Sequence, residues 1–138
     1  YSGQIEQVNA PLLETLLSAG YVPVVAPLAV SYESDILNVD GDRAAAAIGS
    51  ALGAQAVIIL SNVPGLLRDP ADETSLVSHI SSLHVHGYLD RYAQGRMKRK
   101  LLGAVEALQD GVGQVVIADG RVSNPLQQAL AGQGTVIQ

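Results

Sequence analysis

The chain has 138 residues, 48% of them hydrophobic and only 15% charged, with no cysteine. That composition gives one domain with an apolar core, and it excludes a disordered chain, disulfides, thiolate metal sites and cysteine nucleophiles. A net charge of −5, from 13 acidic and 8 basic residues, runs against nucleic-acid binding. There is no signal-peptide pattern and no apolar run near the ~18 residues of a membrane span, so a cytoplasmic protein is expected.

With five Tyr and no Phe or Trp, the core must be aliphatic. Residues Gly3 to Val8 alternate polar and apolar, which predicts a half-exposed strand. The chain enters this segment abruptly at Tyr1, as a piece of a longer protein would. Asn9 is placed to cap a helix with Pro11 in its first turn and Leu12, Leu13, Leu16 and Leu17 on one face, ended by Gly20. The β-branched run Val22–Pro27 predicts a buried strand, and Ser31–Ile36 a polar loop. An Ala-rich helix is predicted over Asp42–Leu52, a buried strand over Ala56–Leu60, and a loop over Ser61–Glu73. Residues 75–94 carry no clear period. A helix over Met97–Leu108, a strand over Gln114–Ala118, a short helix over Pro125–Ala131 and a last strand over Gly134–Ile137 complete the chain. Strands that are apolar throughout, alternating with helices, predict an α/β fold: a mostly parallel sheet with helices on both faces. Ligands on such sheets sit beyond the carboxyl ends of the strands.

Three constellations bear on chemistry. In Asn38-Val-Asp-Gly-Asp42 three polar groups alternate just before a helix, where Asp40 or Asp42 would serve as a cap; one cap needs one such residue, not three. A calcium loop is excluded, because its sixth and twelfth positions hold Arg43 and Gly49 instead of Gly and Glu. Residues 91–100, ending in Gly95-Arg-Met-Lys-Arg-Lys100, hold five of the eight basic residues. A solvated basic face is the ordinary explanation, but cations at a helix start are unfavourable without an anion, so a phosphate site is the better reading. The third constellation is Ser61-Asn-Val-Pro-Gly-Leu-Leu67, a turn directly after a strand. Gly65 would admit a flat ligand and Leu66 and Leu67 could cover a base, although alone this is an ordinary loop. His84 and His86 resemble a metal pair without further ligands, so no metal site is assigned. No Walker A loop, dinucleotide GxGxxG or GxSxG elbow is present.

Together these segments resemble the amino acid kinase family in its acetylglutamate-kinase-like branch. The resemblance rests on Tyr21-Val-Pro-Val-Val25, Asn38-Val-Asp-Gly-Asp-Arg-Ala-Ala45, Leu60-Ser-Asn-Val-Pro-Gly-Leu66, Gly95-Arg-Met-Lys-Arg-Lys100, Ile117-Ala-Asp-Gly-Arg121 and Gly134-Thr-Val-Ile137, in that order. It implies a three-layer αβα sandwich of carbamate-kinase type, with residues 1–138 forming its C-terminal, nucleotide-binding half and the acyl-substrate half absent. It implies transfer of the γ-phosphoryl of ATP to a side-chain carboxylate. The wording of the second and fourth segments favours 2-aminoadipate held on an acidic amino-group carrier protein, as in lysine biosynthesis. Free N-acetylglutamate in arginine biosynthesis, and an inactive nucleotide-binding fragment, are the alternatives. The resemblance gives Lys100 to the transferring phosphoryl group, Asp42 to holding the lysines in place, and Asn38 to the substrate. It gives Ser61, Asn62, Val63, Gly65, Leu66, Gly95 and Met97, with Lys100, to the nucleotide, and it brings Mg²⁺ in on the phosphates. Family members pair through the other half, so a homo-oligomer is expected of the full-length protein.

Overall fold

A computed structural model describes residues 4–138. Helix α1 (Ala10–Ser18) begins where Asn9 Oδ1 accepts from the Leu12 amide at 3.2 Å, with Pro11 in the first turn. A hairpin follows, β1 (Leu28–Val30) antiparallel to β2 (Ile36–Asn38). Then come α2 (Gly41–Ala51), β3 (Ala56–Ser61), β4 (His79–Ile80), α3 (Val85–Tyr92), α4 (Gly95–Gln109), β5 (Gln114–Asp119), α5 (Pro125–Leu130) and β6 (Thr135–Ile137).

The main sheet has four strands in the order β3-β5-β6-β4. β3 and β5 are parallel, as are β4 and β6, while β5 and β6 run antiparallel. The strand alternation sends Val57, Ile59, Val115, Ile117 and Ile137 into one core with Ala46 of α2, Leu89 of α3 and Leu101, Ala104 and Val105 of α4. Val116 and Ala118 point to the other face, where they meet Ala129 of α5 with Ile58 and Val136. Helices thus cover both faces, which makes the molecule a three-layer α/β sandwich with a mostly parallel sheet. Close approach is built in at Gly49, where an added Cβ would lie 2.5 Å from Val57 Cγ2. It lets α2 lie directly on β3.

Two expectations fail. Val22–Pro27 is not a buried strand: Val22 and Val24 are 85% and 97% exposed. An apolar, β-branched run becomes a strand only beside a ladder partner. Pro23 and Pro27 lack an N–H, and among the described residues no strand lies alongside. The predicted strand from Gly3 to Val8 is likewise unpaired over residues 4–8, and Gly3 lies outside the described residues. The loop expected over Ser31–Ile36 is present over residues 31–35 as the tip of the hairpin, and Ile36 opens β2. Ser31 Oγ accepts from the Glu33 and Asp35 amides at 3.2 and 3.1 Å, and Ser34 takes a left-handed φ of 70° to close the turn. Along α1 only Leu13 is buried, whereas Leu12 and Leu17 remain about half exposed. In the unreadable stretch, β4 is two residues long and α3 buries only Val85 and Leu89, so neither sets up a period.

Candidate functional site

Each of α2 and α4 leads into a strand of the parallel pair, β3 and β5, so each helix begins at the carboxyl end of that pair. Cross-links run in the same order along both helices. Asp42 meets Lys100, Arg43 meets Glu106 at 3.2 Å, and Ser50 Oγ donates to the Asp110 carbonyl at 2.8 Å. The two N-termini therefore share one end of the molecule with the loops that follow β3 and β5. Both helix dipoles turn their positive ends there, as an anionic ligand requires.

The structure separates the three polar groups that the sequence placed in one run. Asp40 is the cap of α2, its Oδ1 accepting from the Arg43 amide at 3.1 Å. Asp42, two residues on in the first turn, is free of that duty and binds Lys100, whose Nζ lies 2.9 Å from Oδ2 and 3.2 Å from Oδ1. The side chains are 27% and 16% exposed, so the pair is largely shielded yet open on one side. Asn38 stands exposed at the end of β2, two residues before the cap. Lys100 is thus fixed in place by a carboxylate, while Arg91, Arg96, Lys98 and Arg99 are exposed and form no salt bridge among the described residues.

Gly95 opens α4 with a left-handed φ of 51°, and Met97 is half-buried against the main core. In the loop after β3, Ser61 and Val63 are half-buried and Asn62 is exposed. Leu66 and Leu67 are 1% and 7% exposed and belong to the interior. The expectation that they cover a base is therefore corrected: their side chains complete the core, and only backbone at Gly65 and Leu66 could meet a ligand. The physical reason is that this loop is pinned down onto the sheet. His84 and His86 are exposed on either side of buried Val85, in keeping with surface histidines.

Two sets of contacts at this end were not assigned from the sequence. Arg121 donates to Asp119 through Nε at 2.9 Å and Nη2 at 2.7 Å, and through Nη2 to Glu73 at 2.8 Å. These hydrogen bonds from the guanidinium, with one from the Arg121 amide, hold the Asp119 carboxyl below the usual carboxylate range. Thr135, buried at the start of β6, bonds to both ends of the loop after β3. The segments Ile117–Arg121 and Gly134–Ile137 were legible as motifs, and Asp119 lies only two residues from Arg121, but Glu73, Leu66 and Val77 lie far off in sequence.

Over residues 1–119 the chain matches the model of the amino acid kinase family. The chain belongs to that family. It is 52% identical over 140 residues to a [LysW]-aminoadipate kinase of Thermus thermophilus, covering 100% of this chain and 52% of that protein. It is 55% identical over 137 residues to the enzyme of the same name from Deinococcus radiodurans, covering 99% of this chain and 47% of that one. An acetylglutamate kinase of Clostridioides difficile is 38% identical over 142 residues, covering 100% of this chain and 50% of that protein. The chain therefore spans about half the length of the curated relatives it matches. Among solved structures, N-acetylglutamate synthase from Neisseria gonorrhoeae, complexed with coenzyme A and L-arginine, superposes with a TM-score of 0.89 at 29% identity. That match covers 99% of this chain and 32% of the synthase. These relatives agree with the family and fold read from the motifs. Among the described residues no helix is long and apolar enough to cross a membrane.

Proposed function

We propose that residues 1–138 form the nucleotide-binding half of an amino acid kinase that phosphorylates a side-chain carboxylate. The reading places carrier-linked L-2-aminoadipate as the acceptor. The observation that carries it is the shielded Asp42–Lys100 pair between the starts of two helices, at the carboxyl end of the parallel strands. The uncovered apolar surface supports the half-protein reading. A groove of about 920 Å³, lined among others by Leu12, Leu16, Val24, Ala29 and Ile48, stands open beside the exposed Val22–Pro27 run. An acyl-substrate half packed there would bury both.

The acceptor carboxylate is already ionised, so no general base is needed. The work is to bring two anions together and to stabilise charge as the phosphoryl group moves. Lys100 supplies a donor to the oxygens of that group, and Asp42 fixes the ammonium in place. The β3 loop, through Ser61, Asn62, Val63 and the backbone at Gly65 and Leu66, lines the nucleotide, with Gly95 and Met97 beside it. Asn38 holds the amino-acid end of the substrate. Mg²⁺ would be carried in by the nucleotide and, when bound, would offset part of the phosphate charge beside Lys100. The exposed cations Arg96, Lys98 and Arg99 face an acidic carrier.

Calorimetric titration of the 138-residue chain with Mg·ADP tests the nucleotide site. Saturable one-to-one binding is expected; no binding by a chain with a folded far-UV spectrum would defeat the reading. The acceptor is tested in the complete kinase, which is expected to need the carrier-linked substrate. Efficient phosphorylation of free N-acetylglutamate would move the assignment to the arginine-type kinase.

A further inference from the structure

We infer that Thr135 is a positioning residue, whose hydroxyl sets the height of the nucleotide-lining loop above the sheet. The inference rests on the nucleotide site proposed above. Thr135 is the one polar residue fully inside the core among the described residues. Its Oγ1 accepts from the Leu66 amide at 2.8 Å and donates to the Val77 carbonyl at 2.7 Å. Both groups are buried, and among the described residues neither has another hydrogen-bond partner. The Val77 amide in turn donates to the Leu66 carbonyl at 2.8 Å, and Leu67 pairs with Leu76. One hydroxyl therefore ties together the outgoing and returning arms of the loop between β3 and β4. Its own position is fixed by the register of β6 on β5, where Thr135 stands opposite Ile117.

Gly65 rests on the same group. A Cβ there would collide with Thr135 Oγ1 and lie 2.9 Å from Leu76 Cδ1 and 3.0 Å from the Thr135 backbone nitrogen. The loop from Ser61 to Gly65 thus hangs between the end of β3 and this hydroxyl. A shift at Thr135 moves the backbone that the nucleotide would meet, although Thr135 itself is covered and cannot touch it.

Thr135→Val keeps the shape and removes both hydrogen bonds, whereas Thr135→Ser keeps the hydroxyl and loses only a methyl group. Each is to be compared with the unsubstituted chain for Mg·ADP affinity, for hydrogen exchange at the Leu66 amide, and for thermal stability. Thr135→Val is expected to weaken Mg·ADP by roughly tenfold and to speed Leu66 exchange by a similar factor. Thr135→Ser should stay within about twofold on both, even though both variants melt earlier. A purely structural role would lower the melting temperature without this split in affinity. Should Thr135→Val not fold, Gly65→Ala, which lifts the loop off an intact hydroxyl, must also weaken binding by about tenfold. Thr135→Val or Gly65→Ala binding Mg·ADP as the unsubstituted chain does would overturn the inference. Absence of binding by the unsubstituted chain would instead defeat the nucleotide site on which it rests.

Discussion

Lys100→Met separates the proposed catalytic role from architecture, because that role and the Asp42 ion pair lead to different magnitudes. Met keeps most of the aliphatic stem and removes the charge. The ammonium lies 2.9 and 3.2 Å from the two Asp42 oxygens, so at an effective dielectric near 20 the gross attraction is ~5 kcal/mol. Desolvation of a pair only 16% and 27% exposed removes most of that, and the freed Asp42 retains enough contact with solvent to hydrate. A net stability loss of about 1–2 kcal/mol follows, between the values for surface and buried pairs. For a chain of this size that lowers Tm by roughly 3–8 °C. If Lys100 stabilises the transferring phosphoryl group, kcat should fall by about 10²–10³, the effect of deleting one well-aimed donor. The Michaelis constant for ATP should change much less. Thermal melts of the chain, with steady-state kinetics of the complete kinase at saturating carrier-linked substrate, give both numbers. A kcat within about threefold of normal would refute the assignment. So would a fall in Tm beyond roughly 15 °C, which would mark the lysine as a structural strut.

Asp42→Asn in the complete kinase should lower kcat at every pH without removing an ionisation from the pH–rate profile; loss of one limb would make Asp42 a base. Charge reversal at Arg96, Lys98 and Arg99 together should raise KM for the carrier-linked substrate while leaving Mg·ADP affinity nearly unchanged, and an equal KM would remove the carrier from that face. Gly134→Ala should destabilise by about 2 kcal/mol or more. Its φ of 118° disfavours any side chain, and a Cβ would collide with the Ile117 carbonyl and lie 3.0 Å from Ala118 Cα. An unshifted melting curve would contradict the register of β6. The Asp119 carboxyl titrates below its unfolded value because Arg121 bonds to its charged form. Its contribution to stability is therefore full above pH ~4 and is lost as pH falls through the lowered folded value. Asp119→Asn should flatten that acid limb, as followed by thermal melts between pH ~2.5 and ~5, and a limb of unchanged slope would show that Arg121 does not act through Asp119.

What the sequence determined by itself was local and periodic. The Asn9 cap, the Ala-rich helix after Asp42, and the apolar strands at Ala56–Leu60 and Gln114–Ala118 were all legible, because caps and hydrophobic periods are written in adjacent residues. So was the family, since its segments keep their order along the chain. The candidate site was legible as residue types, and the family resemblance already set Asp42 to hold Lys100 in place; spacing alone could not pair them, since 58 positions separate them. Only the tertiary structure decided that Asp40, and not Asp42, is the cap of α2. Only the tertiary structure buried Leu66 and left Val24 exposed, although both are aliphatic residues in apolar surroundings. Burial depends on what lies alongside in space, and neither residue's sequence neighbours specify that. Thr135 makes the same point in chemical terms. A threonine in a strand is unremarkable by propensity, and it becomes a clamp only because β6 sets its hydroxyl between Leu66 and Val77.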